Sequence, residues 1–494
     1  MSETVYANLI DNRPVAAASG KTVPVVEPAT GQPYAAVPES DATDIDAAVE
    51  SASRAFPAWA ATPVAERAQL LNRLADLIDA NLDRLALAES RDTGKPVSLA
   101  RAVDIPRSAA NLRYFAGAVQ HTPGEFHAFD GGGVPGGMAA INYTLRSPRG
   151  VAGCISPWNL PLYLFTWKIA PALATGNTVV GKPSEVTPVT AALLGELAVE
   201  AGLPPGALNI VHGTGAGAGA ALVKHPRVPT VTFTGSTPVG RWIGQTCGET
   251  LKRVSLELGG KNPFIVFDDA DIDAAIDTAA RAAFTNQGQV CLCGSRLLVH
   301  RSVRDRVVEG LVAKATSLRI GDPSDAGTQF GALTSKAHFE KVSSYVQAAR
   351  ELGGRIHCGG EPVTPDALPE RCRGGFFYQP TVVSGLACDC RVEQEEIFGP
   401  VVTVQTFEDE AGALKLANNT PYGLAATIFT RDLARAHRVA AAVESGIVWV
   451  NCWMVRDLRT PFGGVKQSGV GREGGSDAIR FFTEPKNVCV RMEP

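Results

Sequence analysis

The chain has 494 residues, 45% hydrophobic and 19% charged, with a net charge of −4. That length exceeds one ordinary core and predicts two or three structural units with a normal globular balance. The scattered basic residues exclude a nucleic-acid footprint or a polybasic membrane patch, and no apolar run approaches the roughly 20 residues that span a bilayer.

In chain order, the opening MSETVYANLIDNRPV lacks the basic flank and apolar centre of a secretory signal. Residues 41 to 90 read as helices: Thr62-Pro63 offers an N-cap and a proline at the first helical position, and Leu70, Leu71, Leu74, Leu77 and Ile78 form an apolar stripe. A second helical stretch runs from about Asp104 to Val119. Residues 123–140 are rich in glycine and read as a loop or hairpin tip. From Val151 the pattern changes to short apolar strands (151–156, 178–182, 208–212, 230–234 and 253–257) separated by helical stretches. Such alternation marks a parallel sheet with helices on both faces, whose ligands sit beyond the carboxyl ends of the strands. A second α/β stretch runs from Asn262 to about Val450. The segment FFTEPKNVCVRM reads as a strand able to pair with 140–147 or with another subunit.

The pair Cys291 and Cys293 in NQGQVCLCGSR raises the question of chemistry. Two cysteines give too few ligands for structural zinc, and a disulfide across one residue is strained, so no metal is expected. The ten cysteines as a set read as reduced thiols of a cytoplasmic protein. That leaves a nucleophilic thiol or two ordinary buried cysteines, and this stretch alone favours the buried pair. Three strand ends bear on the choice. Glu257 closes the strand before Gly259 and Gly260 and is a candidate general base. Asn159 lies between Pro157 and Pro161 and is a candidate oxyanion donor, or simply a turn residue. Lys182 and Glu185 follow the strand 178–182, where a nucleotide ribose would lie.

The motifs PWNLPL, GNTVVGKPSE, FTGSTPVG, LELGGKNP, NQGQVCLCGSR, EEIFGP and PFGGVKQSGVGREGG resemble, in order and over essentially the whole chain, those of the NAD(P)-dependent aldehyde dehydrogenases. The resemblance implies an α/β fold with a Rossmann-type parallel-sheet cofactor domain (1–122 and 148–257), an α/β catalytic domain (258–464), and a small β oligomerisation segment (123–147 and 478–494) of a homodimer or homotetramer. It implies that Cys291, not Cys293, attacks the aldehyde. Asn159 and the Cys291 backbone N–H would hold the oxyanion, and Glu257 would activate the hydrolytic water. Cofactor contacts are implied for Pro157, Trp158, Lys182, Ser184, Glu185, Gly215, Gly219, Phe233, Gly235, Ser236, Leu258, Glu396 and Phe398. The Glu185 carboxylate would repel a 2′-phosphate, favouring NAD over NADP. The stretch GTGAGAG (213–219) lacks the strict G-x-G-x-x-G spacing and would not by itself disclose a dinucleotide site.

Two arginines bear on the substrate. Arg107 and Arg456 lie where the resemblance places the substrate channel, and an isolated guanidinium there would be costly to desolvate unless it met a carboxylate. Both segments are similar to the subgroup that oxidises 2-aminomuconic and 2-hydroxymuconic semialdehydes in aromatic-compound catabolism. The amino substrate is the expectation, with the hydroxy compound or a succinic- or glutaric-type semialdehyde as alternatives. A non-catalytic binding or structural protein on the same scaffold is the contrasting possibility, and it leaves Cys291, Glu257, Asn159 and Lys182 without a purpose.

Overall fold

The computed structural model describes residues 4–133 and 135–492. An eight-stranded sheet carries, in spatial order, Gly469–Val470, Arg253–Glu257, Thr230–Thr234, Val151–Ile155, Thr178–Lys182, Leu208–Ile210, Asn8–Ile10 and Arg13–Val15. The five central strands are parallel and the outer ones antiparallel. Val151–Ile155 is buried along its whole length because helices cover both faces. Helix Pro161–Ala174 is buried at every residue, and helices Ala42–Ala61 and Thr237–Glu249 pack on the other face.

The first strand, Val151–Ile155, sits between Thr178–Lys182 and Thr230–Thr234, so the chain leaves it in one direction and later returns on the other side. That reversal opens a crevice at the carboxyl ends, directly beyond which lies Asn159. The second sheet has seven strands in the order Arg355–Cys358, Thr381–Ser384, Val401–Phe407, Arg296–His300, Pro263–Val266, Ala425–Phe429 and Ile447–Val450. Only the first pair is antiparallel.

Thr483–Arg491 pairs along its full length with Ala140–Pro148 of the same chain, and Phe126–Phe129 adds a third strand. One local expectation needs correction. Thr62 ends helix Ala42–Ala61 through its hydroxyl and backbone, and Pro63 takes the cap position of Val64–Ala80 without a side-chain bond. Residues 4–40, for which the sequence pattern predicts no element, hold five short strands among the described residues. Thr4–Val5, Asn8–Ile10, Arg13–Val15, Thr22–Glu27 and Gln32–Pro38 are short strands. Asn8–Ile10 pairs with Leu208–Ile210, a distant partner.

Candidate active site

Cys291 is held by its backbone. Asn286 and Gln287 adopt left-handed conformations with φ of 52° and 55°, unusual for residues other than glycine. At Gly288, φ 71°, any β-carbon would come within 2.2 Å of the Gly399 carbonyl oxygen. The Asn262 Nδ2 donates to the carbonyl oxygens of both Cys291 and Cys293, at 2.7 and 2.8 Å, while its Oδ1 accepts from Ala425 N. The indole N–H of Trp453 donates to the Leu292 carbonyl at 2.9 Å. The two cysteines differ in access. Cys291 is partly exposed on a cavity wall, whereas Cys293 is buried. Burial pushes the Cys293 thiol up to about 12. Burial also raises the Cys291 thiol, helped by the carboxylates of Glu396 and Glu257.

Asn159 shares that cavity wall, and the cavity holds about 190 Å³. Its Nδ2 gives one bond to the Gln289 carbonyl at 2.8 Å, which leaves a second amide hydrogen for another acceptor. Glu257 ends the strand Arg253–Glu257 and is buried, and neither carboxylate oxygen has a partner among the described residues. Burial first, then the nearby Glu473, holds its pKa well above the ordinary carboxylate range. Gly463 leaves room for it, since a β-carbon there would lie 2.6 Å from Glu257 Oε1. Glu473 is itself paired with the buried Lys168 at 2.8 Å.

The cavity continues from Cys291 past Leu258 to Gly235 and Ser236. Ser236 is exposed at the N-terminus of helix Thr237–Glu249, and its hydroxyl makes no capping bond. The first-turn N–H groups there suit an anion such as a pyrophosphate. Phe233 is placed differently from the cavity-lining residues: its ring is buried in the core under the turn, where a β-carbon on Gly235 would meet it at 2.4 Å. Toward the far end, Lys182 Nζ bonds Glu185 Oε2 at 2.9 Å, and Glu185 Oε1 accepts from Gly215 N at 3.2 Å. Burial lowers the Lys182 pKa; burial alone would raise Glu185, but Lys182 and the Gly215 N–H bring it below its ordinary value. Gly219 stands beside the Lys182 side chain, and Ser184 Oγ accepts from Val186 N and closes the turn between Lys182 and Glu185.

At the opposite end Glu396 Oε1 accepts from Gly260 N at 3.0 Å, and a side chain at Gly259 would meet Glu396 Oε2 at 2.3 Å. Phe398 and Trp158 pack edge to face at 5.2 Å beside Pro157. A dinucleotide fits this arrangement. The Glu185 and Glu396 carboxylates at its two ends could each accept from ribose hydroxyls, uncapped helix donors lie between, and glycines keep the walls open.

Arg107, from helix Ile105–Ala118, and Arg456, from the loop after strand Ile447–Val450, both face Tyr163. Arg456 Nη1 donates to the Tyr163 hydroxyl at 2.9 Å, and its guanidinium lies over the rings of Trp167 and Phe462. Arg107 Nε, Arg107 Nη2 and Arg456 Nη2 are buried without an acceptor among the described residues. Burial lowers the Arg107 pKa, and Arg456 adds to that. The field of Arg456 also reaches Glu257 and Cys291.

The aldehyde dehydrogenase family model matches residues 15–488. The chain belongs to that family. This aldehyde dehydrogenase, an oxidoreductase, is 51% identical to the 2-aminomuconic semialdehyde dehydrogenase of Danio rerio over 471 residues, 95% of each chain. It is also 51% identical to the 2-hydroxymuconic semialdehyde dehydrogenase of Pseudomonas sp. (strain CF600), over 97% of this chain and 98% of that one. Among solved structures, PnpE from Pseudomonas sp. WBC-3 in complex with nicotinamide adenine dinucleotide matches with a TM-score of 0.95. It is 44% identical, and the match covers 100% of this chain and 98% of that one.

Several residues of the dehydrogenase's site carry no sequence signal of their own. Asn262 lies inside LELGGKNP, yet its link to the cysteine loop depends on carbonyls about thirty positions away. Tyr163 directly follows PWNLPL. His338 and Lys341 line the cavity from a helix with no motif. His338 Nε2 bonds the carbonyl oxygen of Phe398 at 2.7 Å and its ring packs on Trp158. Burial lowers the His338 pKa to about 4, so the ring is neutral at physiological pH and Nε2–H is the donor.

Proposed function

We propose that this enzyme oxidises 2-aminomuconic 6-semialdehyde to 2-aminomuconate. The observation that carries the substrate is the pair Arg107 and Arg456 flanking Tyr163, with three buried N–H donors lacking an acceptor. A neutral aldehyde would leave those donors unsatisfied. A substrate with a carboxylate at its far end would satisfy them with charged hydrogen bonds worth about 1.5–3 kcal/mol each. The Danio rerio relative supports the amino compound. The equally similar Pseudomonas relative supports 2-hydroxymuconic semialdehyde as a second reading.

In this proposal Cys291 Sγ attacks the aldehyde carbon, and the carbonyl oxygen becomes an oxyanion. Asn159 Nδ2 donates its free hydrogen to that oxygen, together with the Cys291 backbone N–H. Because burial keeps the thiol protonated at rest, its proton must pass to a base, water in the cavity or Glu257, before attack. When bound, NAD supplies the hydride acceptor. The resulting thioester at Cys291 is opened by a water that gives a proton to Glu257, whose raised pKa suits it to accept one near neutral pH. Cys293, buried, takes no part.

Glu396 with Phe398 and Trp158 would hold the nicotinamide end, and Ser236 with the adjoining helix turn the pyrophosphate. Lys182 and Glu185 would hold the adenosine ribose, with Gly215 and Gly219 giving close approach. The Glu185 carboxylate supports NAD over NADP. Residues 1–122 with 148–257, and 258–464, are proposed as the cofactor-binding and catalytic domains. The strands 126–129, 140–148 and 483–491 leave Phe126, Leu145 and Val490 exposed, which supports a second copy of the chain packing there as a homodimer or homotetramer. Among the described residues no helix is long and apolar enough to cross a membrane. The test is a side-by-side assay of the amino, hydroxy, succinic and glutaric semialdehydes against hexanal, each with NAD and with NADP. Equal kcat/KM for the muconic acids and hexanal would overturn the substrate assignment.

A further inference from the structure

Beneath the oxyanion loop lies a buried charged cluster that the chemistry above does not use. Lys95 is fully buried, and its Nζ donates to Asp104 Oδ2 at 2.5 Å and to the backbone carbonyl of Asn159 at 3.0 Å, with Glu89 Oε1 at 4.0 Å. Glu89, also fully buried, turns its other oxygen to Thr190 Oγ1 at 2.8 Å and to Leu162 N at 3.4 Å. Leu162 is in the first turn of helix Pro161–Ala174, whose start follows Asn159 by two residues. Asp104 ends the π-helical turn Ala100–Asp104, from which the helix bearing Arg107 continues.

We propose that Lys95 is a positioning residue for catalysis, fixing the peptide of Asn159 so that its side-chain amide is aimed at the reacting oxygen. The proposal rests on the reading of Asn159 as an oxyanion donor. The geometry supports it in three ways. The Asn159 carbonyl receives two donors, Lys95 Nζ and Asn286 Nδ2, the second at 3.1 Å from the left-handed turn of the cysteine loop. That carbonyl therefore joins the nucleophile's loop, the oxyanion residue and the cluster at one atom. Lys95 is itself held between Gly94, with φ 77°, and Pro96, and its own carbonyl accepts from Ser90 Oγ at 2.7 Å. Finally, stability is a weak reason for burying such a group. Exchanging a buried ionic cluster for apolar side chains is often neutral or stabilising, whereas a preorganised donor must keep its place to within about 0.5 Å. Burial raises the pKa of both carboxyl groups, Glu89 to about 8, so Glu89 retains a proton at neutral pH; the close contact of Lys95 is with Asp104.

The test is a double-mutant cycle on the full chain, reading single-turnover NADH formation with a neutral aldehyde so that the arginines play no part. Asn159→Ala should lower the rate by roughly 10²–10³-fold, as loss of one oxyanion donor does. Lys95→Met should lower it by roughly tenfold or more through misplacement of that donor, with NAD binding by fluorescence titration changed less than about twofold. In the Asn159→Ala background the same Lys95→Met change should alter the rate by less than about twofold. A full, additive loss from Lys95→Met in that background would overturn the proposal and make the cluster merely structural. An unchanged rate in Asn159→Ala alone would instead remove the oxyanion reading beneath it. If Lys95→Met does not fold, Asp104→Asn enters the cycle in its place, with the same non-additive result expected and the same additive result overturning.

Discussion

Replacing Arg107 with leucine separates a substrate clamp from a structural arginine. Two of its donors, Nε and Nη2, lie on the same edge of the guanidinium, are buried, and have no acceptor among the described residues. A carboxylate taking both would gain roughly 3–6 kcal/mol at about 1.5–3 kcal/mol per charged bond. Part of that gain is offset, because Arg456 lies close enough to lower the Arg107 pKa, and it would keep some hold on the same carboxylate. A net loss of about 3 kcal/mol remains, which is about 100-fold in kcat/KM. Arg107→Leu should therefore lower kcat/KM for 2-aminomuconic semialdehyde by about 100-fold while leaving hexanal within about threefold. NADH absorbance at matched enzyme concentration reads both. Thermal stability supplies a second check. A desolvated cation facing another arginine is a poor stabiliser, so Tm should hold or rise. Equal losses on the acid and on hexanal, or a sharp fall in Tm, would refute the clamp and assign Arg107 to packing.

Cys291→Ala should abolish NADH formation, whereas Cys293→Ala should retain most of it; the opposite ranking in steady-state assays would reassign the nucleophile. Glu257→Gln should give a burst of about one NADH per active site and then a turnover slowed by roughly 10²–10⁴-fold. In the native enzyme kcat should rise with pH through an ionisation above the ordinary carboxylate range, and persistence of that limb in Glu257→Gln would show that another group sets it. For His338, burial lowers the pKa from 6.5 to about 4. The unfolded chain thus takes up a proton before the folded one does, and stability is lost as pH falls from 6.5 toward 4. At about 1.4 kcal/mol per pH unit the loss approaches about 3 kcal/mol. His338→Gln, whose amide can still donate to Phe398, should flatten that acid limb in denaturant titrations; parallel curves for the two proteins would exclude the assignment.

The parts of the site that could be read from sequence are those set by short-range chemistry. Lys182 and Glu257 sit at the ends of apolar strands, and the paired glycines after Glu257 announce a turn; both patterns are complete within ten residues. Asn262, Tyr163 and Lys95 act through partners that only the fold brings near. Lys95 reaches a carbonyl 64 positions along the chain. Nothing in the Gly-Lys-Pro stretch distinguishes a buried lysine from a surface one, and the type is mostly exposed. The strands of the first 40 residues escape for a related reason. They are only two to seven residues long, and Asn8–Ile10 pairs with its neighbour Arg13–Val15 as well as with the distant Leu208–Ile210. Pairing with a partner, rather than residue preference, makes them strands.

The short strand Gly469–Val470 lies against Arg253–Glu257, Leu258 N donates to the Ser468 carbonyl, and Glu473 meets Lys168. Part of the wall around Glu257 thus comes from a segment synthesised after both Glu257 and Cys291. A chain still emerging from the ribosome can already contain its thiol and its acid, but it lacks the piece that shuts the acid away from water. Competence arrives only once that later segment has joined the sheet, and a product terminated before it would be left with the reactive sulfur and an unfinished chamber around it.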